Sequence, residues 1–246
     1  MRFALITVVT LVLAIVTAQL GLWQLSRAQE KRARHAQMLR LQTLPALEAP
    51  EFLRAAQEAD VSPLLYRRVH LRGQWVDGAT VYLENRQMQG KPGFFVYTPL
   101  RLAQEQGVVA VLRGWAARDF NDRTRLPQLA TSGQEVELFG EVAGEPARLF
   151  EFATAEVPEG ASPVRQNLSL AEYAHATGLA LLPVSVVQTG RGDEGLQRDW
   201  AAVDDGVPKH YGYAFQWFGL CGLVTILYVW FQIVRRFAPS RSAPHA

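Results

Sequence analysis

Two stretches stand apart from the mixed apolar and polar pattern of the chain. Residues 3–26 and 211–234 contain no Lys, Arg, Asp or Glu. At ~1.5 Å rise per residue, each is long enough as a helix to cross a ~30 Å hydrocarbon core. The first runs from Phe3 to Leu25 and carries Trp23 near its far end, where an amphipathic ring favours the membrane interface. Arg2 and Val16-Thr-Ala18 also fit a cleavable signal peptide. The apolar residues Leu20, Leu22, Trp23 and Leu25 continue past that point and favour an uncleaved anchor. The second stretch opens with Phe215, Trp217 and Phe218 and stops at Arg235-Arg236.

Between them the periodicity predicts a separate, β-rich domain. A basic helix continues out of the first span, from Ser26 to about Leu41, until Pro45 and Pro50 break the pattern. Pro50 to Asp60 reads as a short helix. From Tyr66 the period becomes two: Val69, Leu71, Gly73 and Trp75 share one face, and Arg68, His70, Arg72 and Gln74 the other. Further strands are predicted at Val81–Asn85, Phe94–Thr98, Val108–Leu112, Gln134–Val142 and Leu181–Thr189, with a turn over Gln89–Gly93. A helix is predicted over Ser169–Thr177, with Ser169 and Glu172 placed for a capping box. Many short strands and few helices imply a β-sandwich or small barrel. The expected fold class is α+β: two transmembrane helices flanking a β-rich domain. The expected boundaries are a terminus at 1–2, spans at 3–25 and 211–234, the domain at 26–210 and a tail at 235–246.

Charge bears on orientation without fixing it. All 23 acidic residues lie between the two apolar runs, and the formal net charge of the 246-residue chain is only +2, which gives no mandate for nucleic acid. Arg235, Arg236 and Arg241 favour a cytoplasmic tail and an external domain; Arg27, Lys31, Arg32 and Arg34 would hold the domain inside. No Arg/Ser-rich transit segment precedes the first span, which points to a bacterial membrane. The single Cys excludes an intramolecular disulfide, a CxxC redox site, a CxxCH haem attachment and a thiolate zinc cluster.

Catalytic motifs fail on context. Gly190-Arg-Gly192-Asp-Glu-Gly195 matches GxGxxG, but Asp204-Asp205-Gly206 and Pro208 follow where a dinucleotide site needs a helix and a second βαβ strand. No P-loop, HExxH or GxSxG occurs, so an enzyme is not expected. A copper chaperone, with paired thiolates or Met/His clusters, is disfavoured with three Met residues and one Cys. His35, His70, His175 and His245 read as surface residues. His210 differs, because it precedes the second span and, on a helix, shares a face with Trp217 and with Tyr213 or Ala214. It suits a haem or metal ligand, or an interfacial anchor beside Lys209. Gln24 and Gln216, each beside a Trp, suit a hydrogen bond across packed helices or to a partner. Gly212, Gly219 and Gly222 would permit close helix approach, and Cys221 reads as a small packing residue.

Five segments in order now resemble one family. LGLWQLSRAQEK (Leu20–Lys31) resembles the Gly-x-Trp-Gln-x-x-Arg-x-x-x-Lys signature of the Surfeit locus protein 1, or Shy-type, cytochrome oxidase assembly family. YRRVHLRGQW (Tyr66–Trp75) is similar to its first domain strand. ENRQMQGKPGFFVYTPLRL (Glu84–Leu102) is similar to its next segment and places Arg86, Gly93, Thr98 and Pro99. VVAVLRGWAARD (Val108–Asp119) resembles its Val-Asn-Arg-Gly-Trp-Val-Pro motif, with Leu112 in place of Asn and Ala116-Ala117 in place of Val-Pro. KHYGYAFQWFGL (Lys209–Leu220) resembles its approach to the second span, with His210, Tyr213, Gln216 and Trp217 in register, although Pro208-Lys209 stands where an Asn is common.

The resemblance implies an assembly factor for haem–copper oxidases, not a catalyst: two spans around an external β-rich domain in the bacterial cytoplasmic membrane. It implies help in placing haem A into cytochrome c oxidase subunit I, with haem A synthase as a further partner. On that footing His210 becomes a candidate axial or transient ligand, Trp23 and Trp217 candidate walls for the ring, and Arg27 and Arg113 candidate partners for propionates. Gln24, Tyr213, Gln216, Arg86 and Trp115 are candidates for partner contact or helix packing. A haem-free scaffold that holds an oxidase subunit is the alternative.

Overall fold

The computed structural model describes residues 2–103, 107–119, 122, 126–127, 129, 133, 135–149, 163–192, 195–200 and 206–235. The chain divides into two compact units. One holds Met1–Gln37 with Val203–Ala246, and the other is Met38–Ala202.

The first unit is built on two helices. Helix α1 (Arg2–Thr43) runs unbroken through the apolar stretch and its basic extension, and passes into the second unit. The last helix, α4 (Val207–Tyr228), continues as a π-helical segment to Val234. Both are long and apolar enough to cross a membrane by length and composition. Their large apolar side chains point outward: Leu5 is 65% and Phe215 80% exposed.

The less exposed positions of α1 include Thr7, Thr10, Ala14, Thr17, Gly21, Gln24 and Ala28. Those of α4 include Val207, His210, Ala214, Trp217, Cys221, Val224 and Tyr228. Both sets alternate in steps of three and four, the spacing of a coiled-coil seam. Contacts pair the helices antiparallel. Thr7 Oγ1 meets Tyr228 Oη at 2.9 Å, the Cys221 thiol donates to the Ala14 carbonyl at 3.4 Å, and Arg32 Nη1 donates to Tyr211 Oη at 3.1 Å. Gly21 is the close-approach position, since a Cβ there would lie 2.8 Å from the Phe218 ring. The glycines expected to serve that purpose, Gly212, Gly219 and Gly222, have nothing within 4 Å of such a Cβ. Between these two helices the tight contact therefore falls at Gly21 and not at those three positions.

The second unit is a small barrel. After α1 come β1 (Leu47–Glu48), α2 (Ala49–Ala56), β2 (Arg68–Trp75), β3 (Val81–Met88), β4 (Lys91–Leu102), β5 (Val108–Ala117), β6 (Val136–Ala143), β7 (Val164–Arg165), α3 (Leu170–Thr177) and β8 (Leu181–Gln188). The sheet order is β1-β2-β6-β8-β5-β4-β3-β7, and β2 also pairs with β4. That extra pairing closes five strands, β2-β6-β8-β5-β4, into a ring. The closure lies at Gly73, which pairs with both Val136 and Leu102. A side chain at Gly73 could not be accommodated, because its Cβ would sit 2.2 Å from the Arg101 carbonyl oxygen. Of the two architectures expected, the chain therefore forms the barrel. β5 and β8 pair in parallel and the other ring pairs are antiparallel.

The predicted faces of β2 hold: Val69, Leu71, Gly73 and Trp75 are buried. Val69, Leu71 and Trp75 join Leu100, Val109, Leu138 and Val186 in the main core. β5 is buried on both faces as far as Ala116 and extends past the predicted Leu112. The β3–β4 turn is tighter than expected. Gln89 and Gly90 both have positive φ (51° and 76°) between paired Met88 and Lys91, a two-residue turn of type I′ character, so Pro92 and Gly93 already lie in β4. The capping box over α3 does not form. Ser169 makes no side-chain cap bond, and the Leu170 N–H donates instead to Glu145 Oε2 at 3.0 Å. The β6 prediction began at Gln134, which lies outside the described residues, as do Asp193, Glu194, Asp204, Asp205, Arg236, Arg241 and His245.

Candidate functional site

His210 lies in the first turn of α4, after Gly206 (φ 59°) turns the chain and Pro208 starts the helix without needing an N–H donor. Its side chain is half-buried on the α4 seam. Its Nδ1 is 2.7 Å from Gln24 Oε1 on α1. The expected hydrogen bond across the helices therefore exists, but Gln24 meets His210 and not Gln216. Gln216 and Tyr213 are exposed and lie off the seam, Tyr213 at 52%. The face predicted for His210 is completed by Ala214 and Trp217. Cys221 packs as expected, on the same seam.

Trp217 is half-buried on that seam, whereas Trp23 is 50% exposed beside it. The Arg27 guanidinium lies 5.7 Å from the Trp23 ring centroid and donates to Glu30 at 2.9 Å; Glu30 also meets Arg34 at 3.8 Å. Gln24, Arg27 and Lys31 succeed one another by one helical turn, so the polar edge of α1 begins at the level of His210. Among the described residues, no group of three His, Cys, Asp or Glu side chains could hold a metal ion.

The other candidates belong to the barrel. Arg113, expected as a propionate partner, is 2% exposed, with its guanidinium 4.4 Å from the Trp75 ring centroid. Its side chain is thus buried within the barrel and not presented to solvent. Arg86 is 6% exposed and donates from Nη2 to the Gln166 carbonyl at 3.0 Å, with its guanidinium 5.8 Å from the Phe95 ring. Burial pushes the Arg86 pKa down, because a cation loses its hydration there. Trp115 is 1% exposed and its indole N–H donates to the Arg86 carbonyl at 2.9 Å. The three motif residues Arg86, Gly93 and Trp115 meet, since a Cβ on Gly93 would lie 2.5 Å from the Trp115 ring. Their contact is one of barrel packing.

Sequence reasoning missed one polar cluster. His70 Nδ1 lies 2.9 Å from Glu48 Oε1 and Nε2 lies 2.5 Å from Glu137 Oε1, and the ring stacks on Phe139 at 4.6 Å. Arg72 also donates to Glu137, at 3.0 Å. The hydrogen bonds to Glu48 and then Glu137 raise the His70 pKa, and those from His70 and Arg72 lower that of Glu137. The alternating strand pattern put His70 on the polar face, but the β1 glutamate that meets it comes from a two-residue strand too short to show a period. His175 is exposed, as expected, whereas His35 is half-buried.

The model of the SURF1 family matches residues 11–222. A SURF1-like protein of Rickettsia felis is 28% identical over 247 residues, covering 93% of this chain and 96% of its own length. One from Rickettsia conorii is 28% identical, covering 92% and 90%. A SURF1-like protein of Dictyostelium discoideum is 26% identical over 117 residues, covering 46% of this chain and 43% of its own.

Proposed function

The chain belongs to the SURF1 family, and from that premise we propose that it is a membrane-embedded assembly factor for haem–copper (cytochrome c) oxidase that helps haem A reach subunit I. The observation that carries the proposal is the His210–Gln24 pair. It is an imidazole at the end of an apolar helix pair, with one ring nitrogen held at 2.7 Å and the ring only half-buried. Haem A is the cargo in this reading. Its apolar ring favours hydrocarbon and its propionates favour water, so a protein that passes it between membrane partners should meet it at the interface. There His210 supplies a neutral nitrogen to the iron. Trp217 and Trp23 present aromatic faces nearby, and Arg27 can exchange Glu30 for a propionate.

Several other expectations enter as parts of the same proposal. The two apolar helices span the bacterial cytoplasmic membrane, with the spans at 3–25 and 211–234, residues 26–210 external, and residues 1–2 and 235–246 cytoplasmic. Exposed apolar residues along both helices support immersion in lipid, because contiguous apolar surface of this extent is costly in water. Partners are subunit I and, upstream, haem A synthase; no reaction is assigned to the chain itself.

A second reading is a haem-free scaffold. It is favoured by the exposed aromatic residues Tyr213 and Phe215 of α4, which suit contact with helices of an oxidase subunit. One experiment separates the two: visible spectra of the detergent-purified protein from cells with and without haem A synthesis, for wild type and His210→Ala. A haem A spectrum in the wild type that disappears in the variant is expected. A colourless wild type that still captures subunit I would replace cargo delivery by scaffolding.

A further inference from the structure

An amide oxygen can only accept a hydrogen bond. Gln24 Oε1 faces His210 Nδ1 at 2.7 Å, an arrangement that forms a hydrogen bond when the imidazole proton is on Nδ1. Neutral imidazole carries one N–H, so its lone pair then resides on Nε2. Free histidine in water favours the opposite tautomer, with the proton on Nε2. Ligating histidines are commonly fixed in this same way, by an Nδ1–H bond to a carbonyl or carboxylate that orients the ring.

We infer that Gln24 is a positioning residue: it locks His210 in the Nδ1–H tautomer and presents Nε2 as the lone-pair nitrogen to the iron of the haem cargo. The inference rests on the reading of His210 as a ligand and assigns the choice of nitrogen to a residue on the other helix. The lock is built by the seam. Gln24 is half-buried at a seam position of α1, one turn beyond Gly21, where the Phe218 ring fills the space a Cβ would take. The Thr7–Tyr228 and Cys221–Ala14 contacts set the same antiparallel register farther along. The pair also joins the two most distant signature segments, 186 residues apart in the chain.

The test uses full-length, haem-free protein in detergent with 15N-labelled histidine. The His210 signals are identified by their loss in His210→Gln, and their shifts report which ring nitrogen holds the proton. The wild type should show Nδ1–H. Gln24→Leu, which fits a lipid-facing helix without a polar partner, should move His210 to Nε2–H. Gln24→Glu, which keeps an acceptor oxygen, should retain the Nδ1 proton. Haem titrations of the same samples should show affinity about 10–100-fold weaker in Gln24→Leu, the usual cost of removing a residue that orients a ligand. An Nε2–H wild type overturns the role of Gln24 whatever the haem result. An Nδ1–H wild type that binds no haem overturns the ligand reading instead and reduces the Gln24–His210 bond to a helix fastener.

Discussion

The indole N–H of Trp115 on β5 donates to the backbone carbonyl of Arg86 on β3 across 2.9 Å, over the strand β4 that separates them. A bulge makes this possible. Asn85 adopts φ 59°, and the β3–β4 register shifts by one residue between Leu83 and Arg86. The extra residue turns Arg86 inward and breaks the hydrogen-bond ladder where a side chain can insert. Trp115→Phe should leave the Arg86 carbonyl buried without its donor and cost about 1–3 kcal/mol. Thermal unfolding of the full chain in detergent would read this as a lower midpoint; an unchanged midpoint would show that the bond carries no stability. Gly93→Ala should be at least as severe, because its Cβ would lie 2.2 Å from the Ala116 carbonyl oxygen, with backbone as the obstacle.

Arg113 offers a test of burial against ligand binding. Its guanidinium lies over Trp75 and is 2% exposed. Arg113→Ala should therefore destabilise the barrel, by more than the ~0.5–2 kcal/mol of a cation–π contact because packing is lost as well. Haem bound per folded molecule should stay unchanged. The opposite pattern, normal stability with a lower haem content, would return Arg113 to the cofactor's neighbourhood.

The helix pair makes a contrast among glycines. Gly21→Leu should disrupt the α1–α4 contact, since even a Cβ meets the Phe218 ring at 2.8 Å. Gly219→Leu and Gly222→Leu place their side chains in open space. Membrane-extracted protein levels, followed with His210–Gln24-dependent haem binding, should fall several-fold for the first and hold for the other two. Equal losses in all three would mean that the seam runs along a different face.

His70 predicts the pH dependence of the barrel. Both ring nitrogens face carboxylate oxygens, which only accept, so the arrangement suits the imidazolium with two N–H donors. A pKa raised above the ordinary 6.5 means that the folded state holds the proton more tightly. The resulting stability is complete below about pH 6.5 and is lost as pH rises through the folded value. Glu137, lowered from 4.5, has the opposite sign: its contribution is complete above about pH 4.5 and disappears as pH falls through its folded value. The cluster should therefore stabilise most between these limits. A wild-type unfolding midpoint that falls as pH rises above about 6.5, with a flatter profile in His70→Gln, is expected. Identical slopes for the two proteins would remove His70 from the pH response.

The pattern along the chain was enough to set the two apolar helices, the continuation of α1 past its apolar run, the inward face of β2 and the double-sided burial of β5. Each of these depends on local period and composition, which a sequence displays directly. Tertiary structure alone decided the rest. The strand predicted to end at Asn85 runs on to Met88, because a bulged residue with positive φ interrupts the alternation that marks a strand. Barrel closure depends on the pairing of Gly73–Trp75 with Leu100–Leu102, and a sandwich would present the same alternation. Gln24 found His210 instead of Gln216, and Gly21 took the close contact instead of the glycines of α4, because the antiparallel register of two helices is fixed by side-chain fit across the seam. That fit joins residues nearly 200 positions apart, a distance over which periodicity carries no information.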